Sequence, residues 1–272
     1  MKHAGCLRVA GSRLRQQTNQ TVKEELFTFP YSTLGAGMII LPTKDPKAAA
    51  VSLSVLSSEG KVTTSGFDNL NGNKLTFAGE TRMRTDFFGF TGHQLVGYTY
   101  SNKEFKSLDQ RLGSDVLTGS LQGKMGSWAF YYNFDQYLYE PTKGSGKGVG
   151  IFGRFGAADG NPNLVNYFFS LGLRGKGIMA CRPNDQFGIG WYYIDVKNPS
   201  LSLTSVTREA LRDEQGFEAY YSFAVTPWAL LTPDIQIVHP AQKNVIESTG
   251  SGLSRQSINT ATVLELRLQL LF

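Results

Sequence analysis

Charged side chains alternate with neutral ones along several segments of the 272-residue chain. One such segment places Glu80, Arg82, Arg84 and Asp86 two residues apart. Arginine donates several hydrogen bonds and carboxylates accept them, so these rows suit the binding of hydroxylated solutes. An alternative that the sequence leaves open is that the charges line a solvated wall and pair across it. The further candidates of this kind are Asn133, Asp135, Arg154, Arg174, Glu218 and Asp234, with Glu265 and Arg267 near the end of the chain.

Catalytic, metal and cofactor chemistry find little support in the sequence. Cys6 and Cys181 lack the spacing of a structural metal site. Residues 148–153 match the pattern GxGxxG, but they lie in an aromatic strand and no helix follows, so a dinucleotide site is not expected. The histidines are scattered, and a hydrolase in which His93 acts with a neighbouring serine is the remaining enzyme hypothesis. We therefore predict no catalytic residue, no metal and no cofactor.

Composition narrows the class of protein before any element is assigned. With 41% hydrophobic and 18% charged residues, the chain has enough apolar material to exclude intrinsic disorder. Its formal net charge of +5 is not gathered into a basic cluster, so no nucleic-acid partner is predicted. No stretch reaches the ~18 apolar residues that a membrane-spanning helix requires.

Hydrophobic residues recur with a period of two, which is typical of β-strands with two different faces. In the last segment, 262–272, apolar side chains occupy one parity and Glu265, Arg267 and Gln269 the other. The same alternation predicts about eleven strands, near 34–42, 47–57, 75–87, 92–101, 128–138, 149–155, 165–173, 187–193, 217–225, 231–237 and 262–272. Short turns alternate with longer connections such as 102–125 and 197–213.

A soluble β-sandwich would also alternate, but three features favour a transmembrane barrel. The predicted strands are about 9 to 13 residues, longer than those of most soluble sheets. Aromatic residues such as Trp128 and Trp191 lie towards strand ends, as at membrane interfaces. Full charges occur in mid-strand, where a water-filled lumen keeps them solvated and a packed core would not.

Several segments resemble the OprB-type carbohydrate-selective porins of Gram-negative bacteria. They are SWAFYYNFDQYLY at 127–139, GVGIFGRFGAADGNPN at 148–163, FGIGWYY at 187–193, residues 213–240, and TATVLELRLQLLF at 260–272. YSTLGAGMIILPT at 31–43 and TTSGFD at 63–68 fit the same family. The end of the chain also resembles the assembly signal of outer-membrane barrels, formed here by Leu266, Leu268, Leu270 and Phe272.

The resemblance implies an all-β, antiparallel transmembrane barrel of sixteen strands that lets sugars diffuse across the outer membrane. Its implied partners are carbohydrate solutes, outer-membrane lipid and the barrel-insertion machinery, with a homotrimer left open. Because about eleven strands are predicted and no signal peptide is recognised, we expect an N-terminally truncated porin, an open barrel. Residues 27–272 are assigned to the barrel and 1–26 to an atypical N-terminal segment. A truncated barrel that conducts nothing is the main alternative, and a barrel enzyme is a weaker one.

Overall fold

The computed structural model describes residues 34–59, 73–109, 122–198, 211–249 and 252–271. Within these ranges no helix is long and apolar enough to cross a membrane. A 3-10 turn is present at Phe87–Gly89. The strands are β1 (Gly35–Ile40), β2 (Ala49–Ser57), β3 (Leu75–Thr85), β4 (Gly92–Lys106), β5 (Gly123–Tyr139), β6 (Gly148–Ala158), β7 (Val165–Lys176), β8 (Gln186–Val196), β9 (Glu214–Thr226), β10 (Ala229–His239), β11 (Asn244–Thr249), β12 (Gly252–Ser257) and β13 (Ala261–Leu270).

One sheet contains eleven of these strands, in the order β1 to β10 followed by β13. Every pair of neighbours is antiparallel, from β1 with β2 to β10 with β13. Each predicted strand corresponds to one strand of this sheet, so the all-β antiparallel class and the strand number are confirmed. The expected lengths are wrong at both extremes, because β1 has 6 residues and β5 has 17.

A separate hairpin of β11 and β12 lies between β10 and β13, and the sequence did not predict it. Its base is held by Arg212, which lies just before β9. The Arg212 guanidinium donates hydrogen bonds to the carbonyl oxygens of Pro240, at 2.8 Å, and Ile258, at 2.9 Å. These contacts join the two connections that flank the hairpin.

Connections of different length gather at the two ends of the sheet, because consecutive strands run in opposite directions. At one end, the short-turn end, they are residues 41–48, 86–91, 140–147, 177–185 and 227–228. At the other they are 58–74, 107–122, 159–164, 197–213 and 240–260. Apart from 159–164, the second set is the longer one, as the sequence predicts.

The two faces of the sheet differ in polarity and in exposure. Large side chains such as Leu53, Phe77 and Trp128 are exposed on the face that we call the outer face. The opposite, inner face carries polar groups, and many of these are buried, including Thr76, Ser170 and Asp234. The polar face has lost contact with solvent, whereas the apolar face is exposed. The sheet therefore curls around its polar side.

The sheet is an open barrel in the described part of the chain, since β1 and β13 are each paired on one side only. Eleven antiparallel strands place the first and last in the same direction. An antiparallel ladder between β1 and β13 is therefore excluded by geometry. Two rows of backbone hydrogen-bonding groups remain at these edges.

Candidate functional site

Nine of the ten predicted site residues lie on the inner face. Cross-strand register links them, because residues directly opposite one another share a face. Arg82 lies opposite Leu95, which lies opposite Asn133, and Asn133 lies opposite Arg154. The same rule places Glu80, Arg84, Asp135, Arg174, Glu218 and Asp234 on this face.

The tenth residue, Asp86, lies one position beyond the end of β3. Its carboxylate is 3.2 Å from Lys143 Nζ, in the turn between β5 and β6. A weaker contact of 3.9 Å joins it to Nε of Arg84. Asp86 therefore connects two turns at the short-turn end instead of adding to the polar row of β3.

His93 and Asp135 face one another across β4 and β5. The His93 Nδ1 and the Asp135 Oδ2 are 3.0 Å apart, and Arg84 lies opposite His93 on the other side. This pair supports, for these residues, the interpretation that inner-face charges pair across strands. Among the described residues no serine is hydrogen-bonded to His93, so the hydrolase hypothesis gains no support from this geometry.

Glu80 is held by an aromatic residue that the sequence interpretation passed over. The Tyr131 hydroxyl donates a hydrogen bond of 2.7 Å to Glu80 Oε2, two strands away. Gly97 of β4 lies between them in register. A Cβ added at Gly97 would be 2.1 Å from Tyr131 Cζ, so the ring lies against the bare backbone of β4.

Arg82, Asn133 and Arg154 lie in the next inner-face row. Arg82 is exposed, whereas Asn133 and Arg154 are half-buried. Asn133 and Arg154 lie on adjacent strands, and Arg82 lies two strands from Asn133, so the row offers several donors and one amide acceptor along the wall. Such a row can bind neighbouring hydroxyl groups of a sugar.

Arg174 and Asp234 belong to the part of the wall nearer the end of the chain. The Arg174 guanidinium carbon is 5.8 Å from the centroid of the Tyr137 ring. Asp234 is buried and its Oδ1 accepts a hydrogen bond of 2.9 Å from Gln236 Nε2. Glu218 lies opposite Gln236, and Glu265 lies opposite Asp234 with Arg267 3.5 Å from its carboxylate.

The remaining sequence predictions concern metals, nucleotides and assembly. The described residues contain no group of three or more His, Cys, Asp or Glu side chains placed to hold a metal ion. Residues 148–153 lie within β6, and β7 follows, so the GxGxxG match is part of an antiparallel sheet. Leu266, Leu268 and Leu270 are exposed on the outer face, and Phe272 lies outside the described residues.

Two solved structures resemble this fold. The high-pH structure of Pseudomonas putida OprB matches with a TM-score of 0.66 and 20% identity, over 93% of this chain and 62% of that chain. The low-pH structure of the same protein gives a TM-score of 0.52 and 18% identity, over 90% and 56%. This chain thus spans less than two thirds of the length of the porin that it resembles. No curated protein matches the sequence.

The OprB family model of carbohydrate-selective porins matches residues 5–272. That range includes most of the segment 1–26 that the sequence analysis separates from the barrel. Porins of this family are outer-membrane proteins of Gram-negative bacteria, and the fold described above is the porin type of antiparallel barrel. Because the match covers nearly the whole sequence, the chain belongs to the OprB family of carbohydrate-selective porins.

Proposed function

We propose that this chain forms the wall of a water-filled channel through which small carbohydrates diffuse passively across the outer membrane. The observation that carries the proposal is the division of the sheet into an apolar outer face and an inner face with charges of both signs. A lipid bilayer accommodates the first, and a lumen filled with water keeps the second solvated. Family membership supports the same reading.

The inner face would act on solutes through weak, repeated hydrogen bonds. Arg82 and Arg154 donate to sugar hydroxyls, and Asn133 both donates and accepts. Selective diffusion requires that each contact be weak enough for the solute to leave. The side chains of the inner face meet this condition where they are in contact with water, because water competes for every hydrogen bond that the sugar makes.

The outer face would be in contact with lipid acyl chains. Leu264, Leu266 and Leu268 of β13 are exposed to 77%, 68% and 64%. Such exposure of large apolar groups is unfavourable in water and favourable in a bilayer. We propose that Leu266, Leu268, Leu270 and Phe272 are read by the barrel-insertion machinery; a homotrimer remains a further option for assembly.

The two unpaired edges favour a second candidate, a wall that inserts but does not conduct alone. Edge strands without partners expose backbone groups that a bilayer core does not hydrogen-bond. The parallel directions of β1 and β13 prevent antiparallel closure within this sheet. Closure of this sheet into a channel then needs either a parallel ladder between β1 and β13 or strands beyond the eleven described here.

Solute flux through the refolded chain distinguishes these two candidates. The full 272-residue chain is refolded in detergent, placed in liposomes, and tested by swelling in an isotonic monosaccharide. We expect swelling that falls steeply with solute size, as in a water-filled channel. Swelling with monosaccharide supports transport by this chain, and the absence of swelling by folded, inserted protein contradicts it.

A further inference from the structure

The Tyr131 ring is held on the inner wall at its hydroxyl end. This end lies over Gly97, where any Cβ would approach Cζ to 2.1 Å and Cε1 to 2.5 Å. Its hydroxyl donates the hydrogen bond of 2.7 Å to Glu80. A ring held in this way loses little conformational freedom when a solute binds against it, which favours binding.

On the other side of β5, away from the ring, the wall is bare at this level. Tyr131 lies opposite Gly156 of β6, and a Cβ added there would have no neighbour closer than 3.7 Å. No β6 side chain therefore arises at the position directly opposite Tyr131. Tyr131 itself lies on the inner face and is half-buried.

The other inner-face tyrosines that lie over glycines differ from Tyr131 in their neighbours or in exposure. Tyr220 lies over Gly188 and is half-buried like Tyr131, but its direct cross-strand neighbour on β10 is the carboxylate residue Asp234. Tyr192 lies over Gly216 and donates a hydrogen bond of 2.9 Å to Glu214, but only 7% of its surface is exposed. Its ring has a packing role, since almost none of it is available to a solute. Tyr131, which lies over Gly97, is half-buried and therefore more exposed than Tyr192.

Polar side chains lie two residues further along the strands, in the inner-face row next to that of Tyr131. Asn133 follows Tyr131 by two residues on β5, and Arg154 lies opposite Asn133 on β6. Arg82 follows Glu80 by two residues on β3. An accessible aromatic surface with hydrogen-bonding side chains beside it matches a pyranose, which has an apolar C–H face and a rim of hydroxyls.

We propose that Tyr131 is a stacking platform for the apolar face of pyranose rings, with Arg82, Asn133 and Arg154 binding their hydroxyls. The ring selects cyclic sugars over acyclic polyols of the same size, because an acyclic chain presents no apolar face of this shape. Gly97 and Glu80 are positioning residues that hold the ring along the wall. This inference rests on the proposed function for its biological meaning but is measurable without transport.

The test uses methyl β-glucopyranoside, whose ring does not open and whose axial H1, H3 and H5 lie on one face. Saturation-transfer NMR is recorded with the full chain refolded in deuterated detergent. We expect H1, H3 and H5 to receive more saturation than H2 and H4. Equal saturation of all ring protons in the unmodified protein overturns the proposal, whatever the variants do.

Variants then assign the contact to Tyr131. Tyr131→Leu is expected to weaken sugar binding about two- to tenfold, the contribution typical of an aromatic face contact. Tyr131→Phe retains the ring and is expected to retain the face preference. Tyr98→Leu is the matched control, because Tyr98 lies on the outer face of the neighbouring strand and is 47% exposed there. Unchanged binding by a folded Tyr131→Leu protein contradicts the assignment.

Liposome swelling separates failure of this proposal from failure of the proposed function. The two solutes are methyl β-glucopyranoside and the acyclic alditol glucitol. If the protein conducts, Tyr131→Leu should lower the ratio of glucoside to glucitol flux. Flux with an unchanged ratio overturns the platform and leaves the channel; face-selective saturation without any flux overturns transport by this chain and leaves the platform.

Discussion

The carboxylate of Asp185 continues the hydrogen-bond ladder of β9 where its neighbouring strand β8 has not yet begun. Its Oδ1 accepts a hydrogen bond of 2.9 Å from the backbone amide of Ala224, two residues beyond the Ser222–Gln186 pair that ends the β8–β9 register. The Tyr221 hydroxyl donates to Oδ2 at 2.9 Å, and the Arg182 guanidinium donates to both oxygens. One side chain thus joins the β7–β8 turn to β9.

Asp185→Asn should destabilise the barrel by roughly 1–2 kcal/mol, because a neutral amide replaces a buried carboxylate that accepts four hydrogen bonds. Burial alone would raise the pKa of Asp185, but the hydrogen bonds from Arg182, Ala224 and Tyr221 lower it below its usual value. Since the folded pKa is the lower one, this contribution is complete above the unfolded pKa and is lost as the pH falls through the folded pKa.

Urea unfolding in detergent between neutral and acidic pH checks this prediction. The wild-type protein should lose stability in acid, and Asp185→Asn should show a smaller loss. Asp45→Asn, in an exposed turn at the same end, is the control and should change stability by less than ~0.5 kcal/mol. Equal pH dependence of the wild type and Asp185→Asn would contradict the role given to this carboxylate.

Arg212 should control the order of the β11–β12 hairpin. Arg212→Lys keeps the charge but cannot span the carbonyl oxygens of Pro240 and Ile258 with one planar group. We expect faster amide hydrogen exchange at residues 241–260 in this variant, with exchange in β3 to β7 unchanged. If residues 241–260 exchange at the same rates in the wild type and in Arg212→Lys, the hydrogen bonds of the guanidinium are not needed to order the hairpin.

The strands and their faces were predictable because a period of two is a property of the sequence itself. Along β13, the apolar residues from Leu264 to Leu270 fix which face meets lipid, and a slip of one residue would invert every side chain. The β11–β12 hairpin lacks this signal. Its residues, NVIEST and GLSRQS, include polar side chains at both parities.

The site was only partly predictable, because side-chain partners depend on register between strands. The alternation of residue types places Glu80 and Arg82 on one face. The hydrogen bond from Tyr131 to Glu80, however, depends on the register that puts Gly97 of β4 between them. Tyr131 also lies within the aromatic run 130–132, where its neighbours obscure its parity. The pairing of His93 with Asp135 needed the same register.

The assignment of the two faces predicts opposite outcomes for neighbouring substitutions in β10. Ile235→Lys puts a charge on the outer face and should destabilise the protein by about 2–4 kcal/mol in a bilayer. Gln236→Lys puts the same charge on the inner face beside Asp234 and should cost less than ~1 kcal/mol. Unfolding in lipid vesicles measures both, and similar losses for the two variants would contradict the orientation of the sheet.

Neutralising the exposed arginines of β3 should alter ion preference if the chain conducts. The double variant Arg82→Gln, Arg84→Gln removes two positive charges from the inner face and should shift permeability towards cations. The zero-current potential under a KCl gradient in a planar bilayer reports this shift, which should shrink at high salt because charges are screened. Lys44→Gln, in an exposed turn, is the control. An equally large shift in that variant would contradict the assignment of Arg82 and Arg84 to the lumen.

The last residue should matter for assembly more than for the folded sheet. Leu266, Leu268 and Leu270 follow the outer-face parity of β13, and the sequence continues that parity to Phe272. If the insertion machinery reads this row, Phe272→Ala should slow insertion into vesicles that contain the machinery. Spontaneous refolding in detergent should be unaffected, because no machinery takes part. Gln269→Ala, of opposite parity, is the control; equal slowing in both variants, or slowing in detergent alone, would assign Phe272 a packing role instead.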